Sequence, residues 1–204
     1  MMKLIRIYIA AILTLFMVNS SVAADSALNQ ILSSGVLKAG TTGDFYPFSK
    51  RDTATNSYEG YDIDILNELA KDLGVEIEFV STTWATLVNG ITAEKYHVTG
   101  SASIKASRMK ASGFSDPYTA VVTKAYTTND KISRFNGWDS INQSNVKVAT
   151  TLGTSFETQV DNWFTNAEIT KVAAPARGFQ EVLVGRSDVF VTSNIEGGTL
   201  LVKY

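Results

Sequence analysis

The chain has 204 residues, with 18 Lys and Arg against 20 Asp and Glu, one His and no Cys. This slightly acidic balance argues against nucleic acid and anionic membrane surfaces as partners. The absence of Cys excludes disulfides and thiol chemistry, and a lone His without clustered ligand spacing argues against a metal, so no cofactor is expected.

Residues 1–24 read as a secretory signal. Lys3 and Arg6 form a positive start, Ile9 to Val18 an apolar stretch too short to span a bilayer securely, and Ser21-Val22-Ala23 and Val22-Ala23-Ala24 both fit a small-residue cleavage site. No Cys follows that could carry a lipid anchor, and no later apolar run could cross a membrane. The mature chain is therefore expected to be exported, with no stable membrane insertion. Its net charge falls to about −4 once two cations leave a chain of formal charge −2.

Ser26 reads as the N-cap of a short helix with Leu28, Ile31 and Leu32 on one face and Gly35 after it. Val36 to Ala39 is a buried parallel strand. The stretch from Gly40 to Arg51 is too rich in Gly, Thr and Asp to prolong that strand, so it forms a loop at the strand's C-terminal end, where open α/β sheets bind ligands. Thr41 and Thr42 offer hydroxyls, Asp44 a carboxylate, and Phe45 and Tyr46 flat faces suited to a methylene or a cation. A surface loop with one aromatic tucked into the core fits the same residues.

A strong helix follows Gly60, with Ile65, Leu66, Leu69, Ala70 and Leu73 as its apolar stripe. Asp62 and Asp64 at its start read as capping acids. Val75 to Val80 alternates as a second strand. Trp84 then opens another helix, its ring either in the core or turned to the cleft, with the cleft favoured by its place after a strand end. Tyr96 to Gly100 is a short strand with His97 structural. Ser101, Ser103 and Arg108 follow, two hydroxyls and a guanidinium able to take both oxygens of a carboxylate.

The run from Thr119 to Thr127 is β-rich, and Phe135 and Trp138 anchor a polar segment to the second half of the chain. Val146 to Thr150 is a strand. It turns into a helix carrying Phe156, Val160 and Trp163, with a capping box between Thr154 and Glu157 and an anion-receptive start. Glu168 to Val172 is a weaker strand, Gly178 to Val184 a helix with Phe179, Val182 and Leu183 inward, and Asp188 to Val191 a strand whose C-terminal loop is Thr192 to Glu196.

Several loops then match one pattern. Asp-Phe-Tyr-Pro-Phe at 44–48, Gly-Tyr-Asp-Ile-Asp at 60–64, Ser-Ala-Ser with Arg at 101–108, Phe-Ser-Asp-Pro-Tyr at 114–118 and Leu-Gly-Thr-Ser at 152–155 occur in order. Over nearly all the mature chain the sequence resembles the type II periplasmic solute-binding proteins of polar-amino-acid transporters, solute-binding family 3. The resemblance implies an α/β fold of two lobes joined by two hinge strands. Lobe one would hold 25–118, lobe two 119–191, and 192–204 the second hinge and return to lobe one, whose C-terminal part is expected to be missing. It implies a periplasmic protein that captures a small solute and hands it to an inner-membrane ABC permease. Phe45 would stack on the ligand, Ser101 and Ser103 hydrogen-bond it, and Arg108 take its carboxylate. Ser155 would add a contact from the helix start that Thr154 caps, and Thr42 and Trp84 would complete the wall. Amino-acid binders of this pattern carry an Asp where this chain has Ser193. Either the ligand lacks a primary α-amino group or Asp44 or Glu196 holds its ammonium. The aromatics with Asp44 would also suit a methylated ammonium.

Thr-Thr-Gly-Asp at 41–44, Ser-Thr-Thr-Trp at 81–84, Arg-Phe at 134–135 and Glu196 also resemble the cyclohexadienyl dehydratase branch of that scaffold. That resemblance implies conversion of prephenate or arogenate with loss of water and carbon dioxide. Glu196 would be the acid that protonates the departing hydroxyl, and Asp44 the second active-site carboxylate. The match is partial. Thr123 stands where the branch has Lys, Ser193 where it keeps Asp, and Leu152-Gly153-Thr154-Ser155 where it has Gly-Gly-Thr-Asn.

Overall fold

The computed structural model describes residues 26–204. The signal read over 1–24 lies outside them. Helix α1, Ala27–Ser34, stands in a separate unit. Ser26 Oγ accepts the Asn29 N–H at 3.2 Å, as expected of an N-cap. Of the three apolar residues, Ile31 is buried while Leu28 and Leu32 are half exposed.

The remainder, from Gly35, is built on two main sheets. The first is parallel, with β1 (Val36–Thr41) between β5 (Glu76–Ser81) and β6 (Val98–Thr99). A central strand covered on both faces needs a continuous apolar or small run, which Leu37, Ala39 and Gly40 supply. The stretch expected as a loop, Gly40 to Arg51, is in part strand: β1 runs on through Thr41, and a small antiparallel sheet of β2 (Asp44–Phe45), β3 (Ser49–Arg51) and β4 (Tyr58–Glu59) follows before β5.

Helix α2, Tyr61–Leu73, starts after Gly60, whose φ is 127°. A Cβ on Gly60 would lie 2.5 Å from the Phe48 carbonyl, so the turn requires glycine. The buried stripe is Ile63, Leu66 and Ala70. Leu69, expected inward, is 38 % exposed, because spacings of three and four from Ile63 set the phase of the helix. Asp62 does not cap the helix. It is buried, and the hydroxyls of Ser101 and Tyr118 donate to it. His97 is structural, its Nδ1 accepting the Lys38 N–H at 3.0 Å. The helix expected from Trp84 shrinks to α3, Asn89–Thr92, and Arg108 stands in the one-turn helix α4, Ala106–Met109.

The second sheet runs β7-β10-β8-β9, from β7 (Thr123–Tyr126), β8 (Lys147–Thr151), β9 (Glu168–Val172) and β10 (Val189–Ser193). The last three are parallel and β7 is antiparallel to β10. Successive side chains take opposite faces. Val148, Val189 and Val191 join Ile141, Val160 and Phe164 under α5 (Trp138–Ile141) and α6 (Ser155–Trp163), whereas Ala149 and Phe190 meet Val182 of α7, Gly178–Leu183. Phe135 packs against the first cluster and Trp138 against Trp163 and Phe164, as expected of anchors. Leu183, expected inward, is half exposed, since Val182 and Phe179 occupy the face that meets Phe190.

Residues 192–204 were expected to hold the second hinge and the return to lobe one. Thr192 and Ser193 complete β10, and Asn194–Lys203 form helix α8. Ile195 packs against the aromatic cluster beside the first sheet. Leu200 packs with Ala149, Val182 and Phe190, and the Tyr204 ring lies 5.5 Å from that of Phe179. The last turns of this helix therefore pack against the second sheet. Where β7 and β10 begin and end, the Asn194 N–H donates to the Val122 carbonyl and the Val122 N–H to Asn194 Oδ1, both at 2.7 Å.

Candidate functional site

The loops after β1, β5, β6, β8 and β9 and the start of α8 converge on a cleft of about 1010 Å³. One wall is aromatic. Phe45 stacks on Phe48, with ring centroids 5.0 Å apart, and meets the edge of Trp84 at 5.5 Å over buried Leu87. Phe45, Phe48 and Trp84 all line the cleft. Trp84 thus serves both uses left open by the sequence, packing in a small core while bordering the cavity. Tyr46 turns away, 52 % exposed, so the aromatic cage for a methylated ammonium does not form.

Arg108 is 7 % exposed. Nη1 donates to the Ser103 carbonyl at 3.2 Å and Nη2 to the Gly153 carbonyl at 3.4 Å. No carboxylate among the described residues pairs with it, and burial alone pulls its pKa below the ordinary arginine value. A desolvated cation satisfied only by two long carbonyl contacts is suited to an incoming anion. Beside it the hydroxyls of Ser103 and Ser155 lie 3.0 Å apart, joining the two halves of the molecule.

Other expected residues are committed elsewhere. Ser101 lines the cleft in the left-handed conformation (φ 54°), yet its hydroxyl donates to Asp62 and its N–H to Tyr118 Oη at 2.9 Å. Tyr118 Oη in turn donates a hydrogen bond to Asp62 Oδ1 at 2.9 Å, and burial beside that acid pushes the phenol pKa well up. Thr154 caps α6, accepting the Glu157 N–H at 3.3 Å. The reciprocal bond of the expected capping box is shifted, because the Glu157 carboxylate takes the N–H of Gly153 and not that of Thr154. Thr42 lines a small separate hollow with Thr41 and Asp62. Ser193 is fully buried and N-caps α8 by accepting the Glu196 N–H at 3.0 Å, so its hydroxyl is turned from the cleft.

Sequence reasoning missed Arg177. It stands at the start of α7, in the loop after β9, and lines the cleft. Its guanidinium pairs with Asp44 at 3.1 Å and with Glu196. Asp44 also accepts from Trp84 Nε1 at 2.9 Å, and Glu196 from the Thr192 hydroxyl. The rule that favoured the other loops, a polar residue at the C-terminal end of a parallel strand, could have found it. Both acids proposed for catalysis therefore form one buried cluster around a cation. A proton on Glu196 would forfeit that pairing.

The chain is similar to known proteins of two kinds, an enzyme and amino-acid-binding proteins. The chain is 31 % identical to the cyclohexadienyl dehydratase of Pseudomonas aeruginosa over 175 residues, which are 85 % of this chain and 65 % of the relative. It is 35 % identical over 103 residues to the L-cystine-binding protein TcyA of Bacillus subtilis, covering 49 % of this chain and 38 % of that protein. The chain thus spans under two thirds of the length of either. The crystal structure of the ancestral amino acid-binding protein AncCDT-1, described as a precursor of cyclohexadienyl dehydratase, superposes with a TM-score of 0.82 at 35 % identity. That superposition covers 86 % of this chain and 78 % of the other. The fold is accordingly the mixed α/β fold of the type II periplasmic amino-acid-binding proteins. The family match starts in β1, crosses both sheets and ends in β10, at residues 37–190, and the chain belongs to the bacterial extracellular solute-binding proteins, family 3.

Proposed function

We propose that this protein is a periplasmic capture protein for a small carboxylate-bearing, amino-acid-like solute, which it delivers to an inner-membrane ABC permease. The observation that carries this reading is Arg108, a buried guanidinium with no acidic partner among the described residues, set against an aromatic wall. Family membership supports the binding role. Ser103 and Ser155 bring one hydroxyl from each half of the cleft to the same place, as closure on a ligand requires. Export and the permease partner rest on the signal-like N-terminus and on the family.

A second reading, a prephenate or arogenate dehydratase with Glu196 as its acid, is favoured by the similarity to cyclohexadienyl dehydratase. The ion pair between Glu196 and Arg177 weighs against it, because a general acid must hold a proton. Incubating the protein with prephenate while following phenylpyruvate by absorbance separates the two. The capture reading expects no turnover and saturable binding in calorimetry against a panel of small carboxylates. Turnover that vanishes in Glu196→Gln, with folding intact, would replace it by the dehydratase.

A further inference from the structure

Lys105 breaks a local rule. It stands at the N-cap of α4, with φ −148° and ψ 150°, and its side chain makes no cap. Ser, Thr, Asp or Asn would accept a backbone N–H there, which an ammonium cannot do. A cation at that end also opposes the helix dipole. Misfits of this kind concentrate at functional positions. Lys105 is half-buried and lines the cleft, three residues before Arg108, which lines it too.

No acid answers this second cation. Among the described residues the ammonium of Lys105 finds only the Thr158 hydroxyl, at 3.5 Å, on the facing helix α6. Glu157, in the same helix, is already held by Lys171 at 3.1 Å and by the Gly153 N–H at 2.7 Å. Of the acids lining the cleft, Glu196 is bound by Arg177 and Thr192, and Glu94 and Asp116 are exposed to water. Asp44 and Glu196 share one guanidinium and so keep one negative charge between them. The charges that act on Lys105 are those of Arg108 and Glu157. Burial and then Arg108 push its pKa down, with Glu157 opposing. The loop after β6 thus brings two cations to one end of the cleft without a carboxylate for either.

We infer that Lys105 is a second anion-binding residue and that the cleft takes a dicarboxylate, one carboxylate on Arg108 beside the Ser103 and Ser155 hydroxyls and the other on Lys105. The inference deepens the capture reading and rests on it. A monocarboxylate paired with Arg108 leaves Lys105 half-desolvated and unpaired, whereas a second carboxylate a few bonds away satisfies both. A cleft of about 1010 Å³ has room for such a ligand.

The test is calorimetry at one pH with three pairs of nearly equal shape that differ in one charge: succinate and succinamate, L-aspartate and L-asparagine, L-glutamate and L-glutamine. For whichever pair binds wild type, the dicarboxylate should bind at least about threefold more tightly than its half-amide, and less so as salt is raised. Lys105→Met should bring that ratio to about one while leaving half-amide affinity unchanged. Lys105→Thr, which can cap α4, should do the same in a chain whose folding is not in question. Lys105→Arg should keep the preference, which a merely structural role for the side chain would not require. Equal or weaker binding of the dicarboxylate to wild type, or an unchanged ratio in folded Lys105→Met or Lys105→Thr, overturns the inference, and half-amide binding that Arg108→Met abolishes would leave carboxylate capture standing. No binding of any of the six compounds counts against both.

Discussion

Arg108 makes a prediction of opposite sign for stability and for binding. Arg108→Met keeps an unbranched apolar stem in the same space while removing the charge. In the empty protein the change loses two carbonyl contacts of 3.2 and 3.4 Å. At their length these are worth about 1–2 kcal/mol together. It also relieves the desolvation of an unpaired cation, which costs several kcal/mol. The balance is about 1–2 kcal/mol of stabilisation, a Tm rise of roughly 2–8 °C for a domain of this size. Binding moves the other way. A ligand carboxylate that loses its buried partner forfeits about 2–5 kcal/mol, roughly 30- to 4,000-fold in Kd. Differential scanning calorimetry on the empty protein and titration with whichever solute binds wild type read the two effects separately. A Tm that falls by more than about 3 °C with Kd unchanged would show that Arg108 is a packing residue.

Two further expectations follow from the geometry. Burial raises the pKa of Asp62 above its ordinary value of 3.8, with the Ser101 and Tyr118 hydroxyls opposing. The folded state therefore holds this proton where the unfolded chain has released it, so stability falls as pH climbs from about 4 through the raised value. Asp62→Asn should flatten that slope in a Tm-against-pH series, and an identical slope would acquit Asp62. Gly153 has φ 83°, and a Cβ there would lie 2.3 Å from the Ala85 nitrogen across the cleft. Gly153→Ala should hold the halves apart, raising the radius of gyration in solution scattering with ligand present and weakening binding at least about tenfold. Unchanged scattering and affinity would mean that this contact does not form on closure.

Local periodicity made most of the frame legible. β1, β8 and β9 read from short apolar runs, Thr154 from its cap position, and the Phe135 and Trp138 anchors from isolated aromatics in a polar segment. Less legible were residues whose contacts depend on a partner distant in sequence. Ser101 looked free until Asp62 and Tyr118 claimed it across 39 and 17 positions. Ser193 looked like a cleft residue until β10 ran on through it and made it a cap.

Sequence alone determined which segments could be strands and helices and which loops close the parallel strands, because alternation, glycine and capping act within a few residues. It also supplied every charged group in the cleft. Which charges pair was decided by the tertiary structure. Asp44, Arg177 and Glu196 come from three distant loops and meet only when both sheets are in place. Arg108 is left without an acid by that same convergence, and so becomes the group that waits for a ligand.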